Sequence, residues 1–242
     1  YGSLLVIFNA GLPSVFAYYL PRFSIQKGKQ IVFKLTKVLL VLGFVFSLVL
    51  YLFADIFSAI LNNPDLSQPL KVFSLIPMLL LPTFGIEGIF STYGKTYFIA
   101  IFDFITRLIT LLCMLIPVIF FNGSLIDCII GWVIGSLFTL VIGLFFKRIP
   151  FFGVNQEKSN LSLNEIFKYS LPILTASVWG ILITSSYQFY ISRFFGAEVF
   201  AEFSNGFMEI PIITMIISAS GATLLPVFSK MFHEKKNINL FL

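Results

Sequence analysis

Residues 108–146 read LITLLCMLIPVIFFNGSLIDCIIGWVIGSLFTLVIGLFF and carry one charge, Asp127. Two uncharged runs, 108–126 and 128–146, lie on either side of it. A helix needs about 20 mostly apolar residues to cross bilayer hydrocarbon. Phe121-Asn122-Gly123-Ser124-Leu125 supplies a short uncharged turn between them. The stretch predicts a helical hairpin with membrane helices at 97–120 and 126–146. Spanning strands are excluded, because they would be about 10 residues long and would alternate polar with apolar.

Working outward, further uncharged runs cover 1–21, 38–54, 72–86, 169–192 and 210–229. Seven helices are therefore predicted, at roughly 2–21, 38–60, 70–90, 97–120, 126–146, 169–191 and 204–227. Composition agrees. The 242 residues are 58% hydrophobic and 11% charged, against roughly 25% charged in a soluble domain. Too few polar side chains exist to cover a soluble enzyme, and too few to keep a chain disordered. The expected class is an all-α, polytopic integral membrane protein. Cys113 and Cys128 lie in apolar stretches and imply neither a disulfide framework nor a metal site.

Orientation follows from Lys and Arg. Segment 22–37 holds Arg22, Lys27, Lys29, Lys34 and Lys37, and segment 91–96 holds Lys95. Segment 147–168 holds Lys147, Arg148, Lys158 and Lys168, and the tail holds Lys230, Lys235 and Lys236. The alternate connections hold only Lys71 and Arg193. The richer side is cytoplasmic. The net charge of +5 is then a topology signal. No basic stripe is interleaved with stacking aromatics, so no nucleic-acid partner is expected.

The chain opens inside an element at Tyr1-Gly2, so a piece of a longer protein is expected. Leu20-Pro21-Arg22-Phe23-Ser24 and Leu225-Pro226-Val227-Phe228-Ser229 share the pattern Leu-Pro-x-Phe-Ser. Each ends an apolar helix ahead of basic residues. Such a parallel repeat fits a transporter built from two halves. The expected division is 1–146 for most of a first lobe and 147–168 for a polar cytoplasmic linker. Residues 169–242 would begin the second lobe.

No phosphate loop or zinc-type spacing occurs, and the lone His233 lies in the basic tail. No catalytic residues and no metal are expected, and the chain is not read as an enzyme. Asn122-Gly123-Ser124 is a turn rather than a glycosylation site, and Asn160-Leu161-Ser162 lies on the cytoplasmic side. Gly131 and Gly135 form a GxxxG that permits close helix packing.

Ionisable residues inside spans are costly and default to functional roles. Asp103 and Arg107 lie four apart on one helix face, with Thr110 continuing the stripe. Two readings stand side by side: an intrahelical ion pair, and a cationic spot facing a polar cavity that takes an anion. Asn205 and Glu209 share a face of the last helix, as a helix end near the headgroups or as cavity lining. Glu87, among Pro82, Gly85 and Gly88, reads as a snorkelling residue near the inner boundary. Pro13, Pro77, Pro82, Pro117, Pro172 and Pro211 fall inside spans and predict kinks.

Several segments resemble one family in order and spacing. Tyr1-Gly2 resembles the end of the Leu-Gly-x-x-x-Tyr-Gly signature opening the second helix of polysaccharide repeat-unit flippases. Leu20-Pro21-Arg22-Phe23 with Lys27 and Lys29 resembles that helix's cytoplasmic end. Tyr93-Gly94-Lys95, followed by Asp103 and Arg107, resembles the family's Gly-basic turn and next helix. Phe167-Lys168-Tyr169-Ser170-Leu171-Pro172 resembles the entry to its seventh helix, and Gly196 with Phe203 a degraded copy of the opening signature.

The resemblance is to the O-antigen and polysaccharide flippases, in the superfamily that includes multidrug extruders and lipid II flippases. It implies two six-helix lobes around a cavity, in the bacterial inner membrane. It implies transfer of undecaprenyl-diphosphate-linked oligosaccharide to the outer leaflet for O-antigen, lipopolysaccharide or other surface polysaccharide. It also implies membrane-lipid and polysaccharide-assembly partners and no organic cofactor. The family often carries an Asp and a basic residue about nine positions before the Gly matched to Gly196. This chain has Tyr187-Gln188 there, so that acid's role does not carry over and the coupling ion stays open. A multidrug or metabolite extruder and a membrane polymerase are the competing readings.

Overall fold

The computed structural model describes residues 7–60, 66–121, 123–206 and 211–233. The described residues are helical, with no strand among them. In chain order the helices are α1 (Leu12–Tyr19), α2 (Ile25–Leu52), α3 (Ala54–Ile60), α4 (Ser67–Phe73) and α5 (Leu75–Leu80). They continue with α6 (Ile86–Thr92), α7 (Tyr97–Phe121), α8 (Leu125–Phe146), α9 (Leu163–Gly206) and α10 (Pro211–His233). Five stretches among the described residues are long and apolar enough to span: Ile25–Leu52, Ser67–Thr92, Tyr97–Phe120, Leu125–Phe151 and Leu163–Ile183. The remaining two expected helices, 2–21 and 204–227, fall partly outside the described residues. The protein is an all-α, multi-pass membrane bundle.

The α7–α8 hairpin appears where the sequence places it. Ser124 begins α8 with a capping box: its backbone N–H and hydroxyl both donate to the Asp127 carboxylate, at 2.7 and 2.8 Å. That one charge in the stretch satisfies a helix start that would otherwise leave donors bare in lipid. The two helices touch at the backbone. A Cβ on Gly135 would sit 2.8 Å from Thr110 Cα, and one on Gly131 would overlap the Cys113 carbonyl. Their outer faces are lipid-type surfaces, with Phe104, Phe120 and Val141 each more than half exposed.

Other boundaries move, each for a physical reason. α2 starts at Ile25 rather than near 38, running through the basic segment. Lys is a good helix former. The 28 residues of α2 extend about 42 Å at 1.5 Å per residue, so the basic turns protrude beyond about 30 Å of hydrocarbon. α9 is one helix of 44 residues, absorbing the entry at 163–168 and the expected connection after 191. Ser162 and Glu165 form its capping box, the Glu165 N–H donating to Ser162 Oγ and the Ser162 N–H to the Glu165 carboxylate.

The expected helix 70–90 is broken into α4, α5, a 3-10 turn at Leu81–Thr83 and α6. Pro82 lacks a backbone donor, and Gly85 sits at φ 88 in the left-handed region. A second break precedes α1 at Ala10 and Gly11, both with positive φ. The two interrupted helices pack on each other. The Phe16 ring fills the place a Gly85 side chain would take, and Ala17 lies against Gly88.

The polar segment after α8 is pinned along α2 rather than hanging free. Lys29 Nζ donates to Val154 O and Lys34 Nζ to Leu161 O, at 2.8 and 2.7 Å. The Ser159 N–H donates to the Gln30 side chain. Phe151 and Leu161 join α1, α2 and α6 in the main core.

α8 joins the Ser124 turn to this strap through 22 residues, about 33 Å and enough to cross the bilayer. With Cys113 and Cys128 replaced by alanine, cysteines at Ser124 and Lys158 are expected to react with an impermeant maleimide from opposite sides of intact cells. Lys158 is expected to be the cytoplasmic one. Labelling of both from outside would overturn the orientation.

Candidate functional site

The broken helices border a cavity of about 910 Å³, within the roughly 300–1,000 Å³ usual for small-molecule sites. α1 lines it with Pro13, Ser14 and Ala17, and Asn9 lies just before that helix. Thr83, Phe84 and Gly85 line it from the break, and Glu87 and Gly88 from α6. α7 contributes Asp103, Thr106, Arg107 and Thr110, positions that recur every three or four residues on one face. Trp132 and Thr139 of α8 and Gly221 and Leu225 of α10 also line it.

The structure thus brings Asp103 and Arg107 together on the cavity wall, with Glu87 facing them from α6. Of the two readings the sequence left open, the intrahelical ion pair is not formed: among the described residues the one ion pair is Lys71 with Asp55. Arg107 is exposed to the cavity, and its guanidinium has no hydrogen-bond partner among the described residues. Glu87, read from the sequence as a snorkelling residue, lines the cavity within electrostatic reach of Asp103 and Arg107. Asn205 lies in α9 with its side chain outside the described residues, and Glu209 is outside them altogether.

Lys147 carries a role that its position in the chain did not reveal. Counted as a cytoplasmic residue of the polar connection, it is 4% exposed and points back into the bundle. Its ammonium donates to Pro82 O at 2.7 Å, Phe84 O at 2.6 Å and Thr36 Oγ1 at 3.2 Å. An ammonium has three N–H donors and no acceptor, so all three are used. The Phe16 ring centroid lies 4.9 Å away, within cation–π range. Breaking a helix at Pro82 frees carbonyls that lipid cannot satisfy. Lys147 satisfies two of them and so holds the break beside Phe84 and Gly85.

The two Leu-Pro-x-Phe-Ser segments meet at the basic-rich end. Arg22 Nε donates to Ser229 Oγ at 3.1 Å, and the Ser229 hydroxyl donates to Tyr18 O at 2.6 Å. The Arg22 guanidinium lies 3.6 Å over the Tyr18 ring, which stacks on Tyr169. α1 and α10 are thereby joined through Tyr18 and Ser229.

No group of three or more His, Cys, Asp or Glu among the described residues could hold a metal ion. The arrangement offers polar recognition in an apolar bundle: one cation, two carboxylates and several hydroxyls. Searches of the curated proteins and of the solved structures gave no match. The model of one family, described as polysaccharide biosynthesis protein, matches residues 1–232. That match covers nearly every element that builds the cavity, and the chain belongs to this family of membrane proteins of polysaccharide biosynthesis.

Proposed function

We propose that the protein is a flippase, carrying an undecaprenyl-diphosphate-linked oligosaccharide from the inner to the outer leaflet of a bacterial inner membrane. One observation carries this reading: Arg107 faces the cavity from mid-helix with no hydrogen-bond or ion-pair partner among the described residues. Counting from Tyr97, it lies about 15 Å along α7 at 1.5 Å per residue. A diphosphate bearing sugars cannot enter hydrocarbon without replacement of its hydration. Arg suits the task because its planar fork takes phosphate oxygens two at a time and stays charged when partly buried. The hydroxyls of Ser14 and Thr110 can serve sugar groups while the prenyl tail stays in lipid. No covalent step is required.

Glu87 and Asp103 set a condition on loading. Two carboxylates beside one guanidinium repel an anion unless a proton or cation neutralises one of them. Ion coupling in this proposal acts there. Asn205 and Glu209 are proposed to face the same substrate from the second lobe, with 147–168 as the inter-lobe strap.

The test is complementation in a strain lacking its own flippase, read as surface polysaccharide per membrane-inserted protein. Arg107→Gln is expected to lower export by about 100-fold, as for loss of a buried charged contact. Arg107→Lys keeps the charge but loses the fork and is expected to retain partial function. The double change Asp103→Asn with Arg107→Gln is expected to insert normally and remain inactive. Normal polysaccharide from that double variant would make Arg107 a structural residue and sink the proposal.

A further inference from the structure

A second recess of about 560 Å³ lies between α2 and the end of α8. It shares no lining residue with the cavity of Arg107. Its walls are apolar: Val32, Phe33 and Leu40 from α2, Leu144 from α8, and Phe151 and Phe152 beyond it. Phe33 and Phe152 are 54% and 63% exposed. Its charged members are all basic, namely Lys29, Lys37, Lys147 and Arg148.

These cations are not equally available. Lys147 is fully engaged by Pro82, Phe84 and Thr36. Lys29 gives one N–H to Val154 O and keeps two. Arg148 is exposed, and its guanidinium has no hydrogen bond or ion pair among the described residues. Lys37 leans over the Phe33 ring, Nζ 4.5 Å from its centroid. Helical side chains tilt toward the helix N-terminus, so Lys37 points back toward Lys29. Three available cations thus border one apolar recess at the basic-rich end of the bundle, which the positive-inside rule places at the cytoplasmic leaflet. That leaflet is the anionic one, and basic pockets between membrane helices on that side suit phosphate headgroups.

We propose that this recess is a binding site for an anionic phospholipid, its phosphate held by Lys29, Lys37 and Arg148 and an acyl chain lying along Phe33, Leu40 and Leu144. The match is of charge and of shape. A zwitterionic lipid would bring its own cation to a recess with no acidic lining residue, and a soluble anion would leave the aromatic walls in contact with lipid alone.

The test is native mass spectrometry of the purified protein in an uncharged detergent, titrated with dioleoylphosphatidylglycerol or dioleoylphosphatidylcholine. One bound phosphatidylglycerol is expected to be favoured over phosphatidylcholine by at least about 10-fold. Each basic side chain near the headgroup should contribute about five-fold. The triple variant Lys29→Gln, Lys37→Gln, Arg148→Gln should therefore lose the preference, while Lys71→Gln should keep it. If the triple variant does not purify as one species, Arg148→Gln alone should lower phosphatidylglycerol binding about five-fold. Equal binding of the two lipids would overturn the proposal, as would an unchanged preference in the triple variant or in Arg148→Gln. Displacement by inorganic phosphate would make this a site for the free anion. A dimer lost in the same variants would make the occupant a second copy of the chain. Loss of the preference in Arg107→Gln would move the lipid to the central cavity, so this proposal and the transport proposal fail separately.

Discussion

Replacing Lys147 with methionine is expected to lower the thermal unfolding midpoint of the detergent-solubilised protein by about 6–12 °C. Methionine keeps the length of the side chain and loses the ammonium. Pro82 O and Phe84 O then lose their donors at a place where Pro82 and Gly85 have already interrupted the helix. Hydrogen bonds to charged groups contribute about 1.5–3 kcal/mol each, and leaving a buried acceptor bare costs a further 1–3 kcal/mol. A net loss of about 3 kcal/mol is a conservative sum, because water can reach a helix end. At about 2–4 °C per kcal/mol for a chain of this size, the stated shift follows. Arginine should not rescue it, since a flat guanidinium cannot aim three donors at the same oxygens as a compact ammonium. Lys158→Met, on the exposed strap, is the control and should not move the midpoint. A Lys147→Met midpoint within a degree or two of the parent would show that the two carbonyls find other partners. Under the proposed transport function export should fall as well, because the break it holds supplies Thr83, Phe84 and Gly85 to the cavity.

Gly131→Val is expected to abolish recovery of folded, monodisperse protein. The α7–α8 contact is a backbone contact, and any Cβ at Gly131 would occupy the space of the Cys113 carbonyl. The obstruction is main chain, so no rotamer change removes it, and the helices must separate. Overpacking commonly costs about 1–3 kcal/mol and more when backbone must move. Separation also displaces Asp103, Thr106, Arg107 and Thr110 together, since all four lie on α7. Gly131→Ala should be intermediate, recovered at a lower midpoint. Gly180→Ala is the informative contrast: among the described residues its Cβ would meet nothing within 4 Å. Helix propensity alone then favours alanine by up to about 1 kcal/mol. Size-exclusion profiles of the three variants at matched expression decide the matter. A sharp, parental profile for Gly131→Val would mean that α7 and α8 do not meet at this glycine.

How much could be read in advance differs between the charges of the cavity. Asp103, Arg107 and Thr110 were legible because three- and four-residue spacing on a long apolar helix fixes a shared face, whatever the helix packs against. Glu87 was read for its depth alone, and its place on the cavity wall beside Asp103 and Arg107 depends on how α6 packs after the break at Pro82–Gly85. Pro82 and Gly85 did announce an interruption, but a break has no partner until another element supplies one. Lys147 gave no signal at all. In the chain it is one of two basic residues closing an apolar run, the usual mark of a cytoplasmic flank, and Arg148 behaves as that pattern predicts.

The sequence by itself determined the solvent and the class of structure, and it set the expected orientation in the membrane. Those depend on sums along the chain: the length of uncharged runs against the thickness of hydrocarbon, and the count of Lys and Arg on each side. It also determined the α7–α8 hairpin, because Asn122-Gly123, Ser124 and Asp127 are local turn and cap chemistry. Only the tertiary structure decided which interruptions face one another, that Phe16 fills the space at Gly85, and that Lys147 turns inward while Arg148 turns out. Only it brought Arg22 to Ser229 across most of the chain. The physical reason is the same in each case. In a bilayer every freed carbonyl and buried charge must find a partner, local pattern shows that a partner is needed, and the packing of distant helices decides which residue it is.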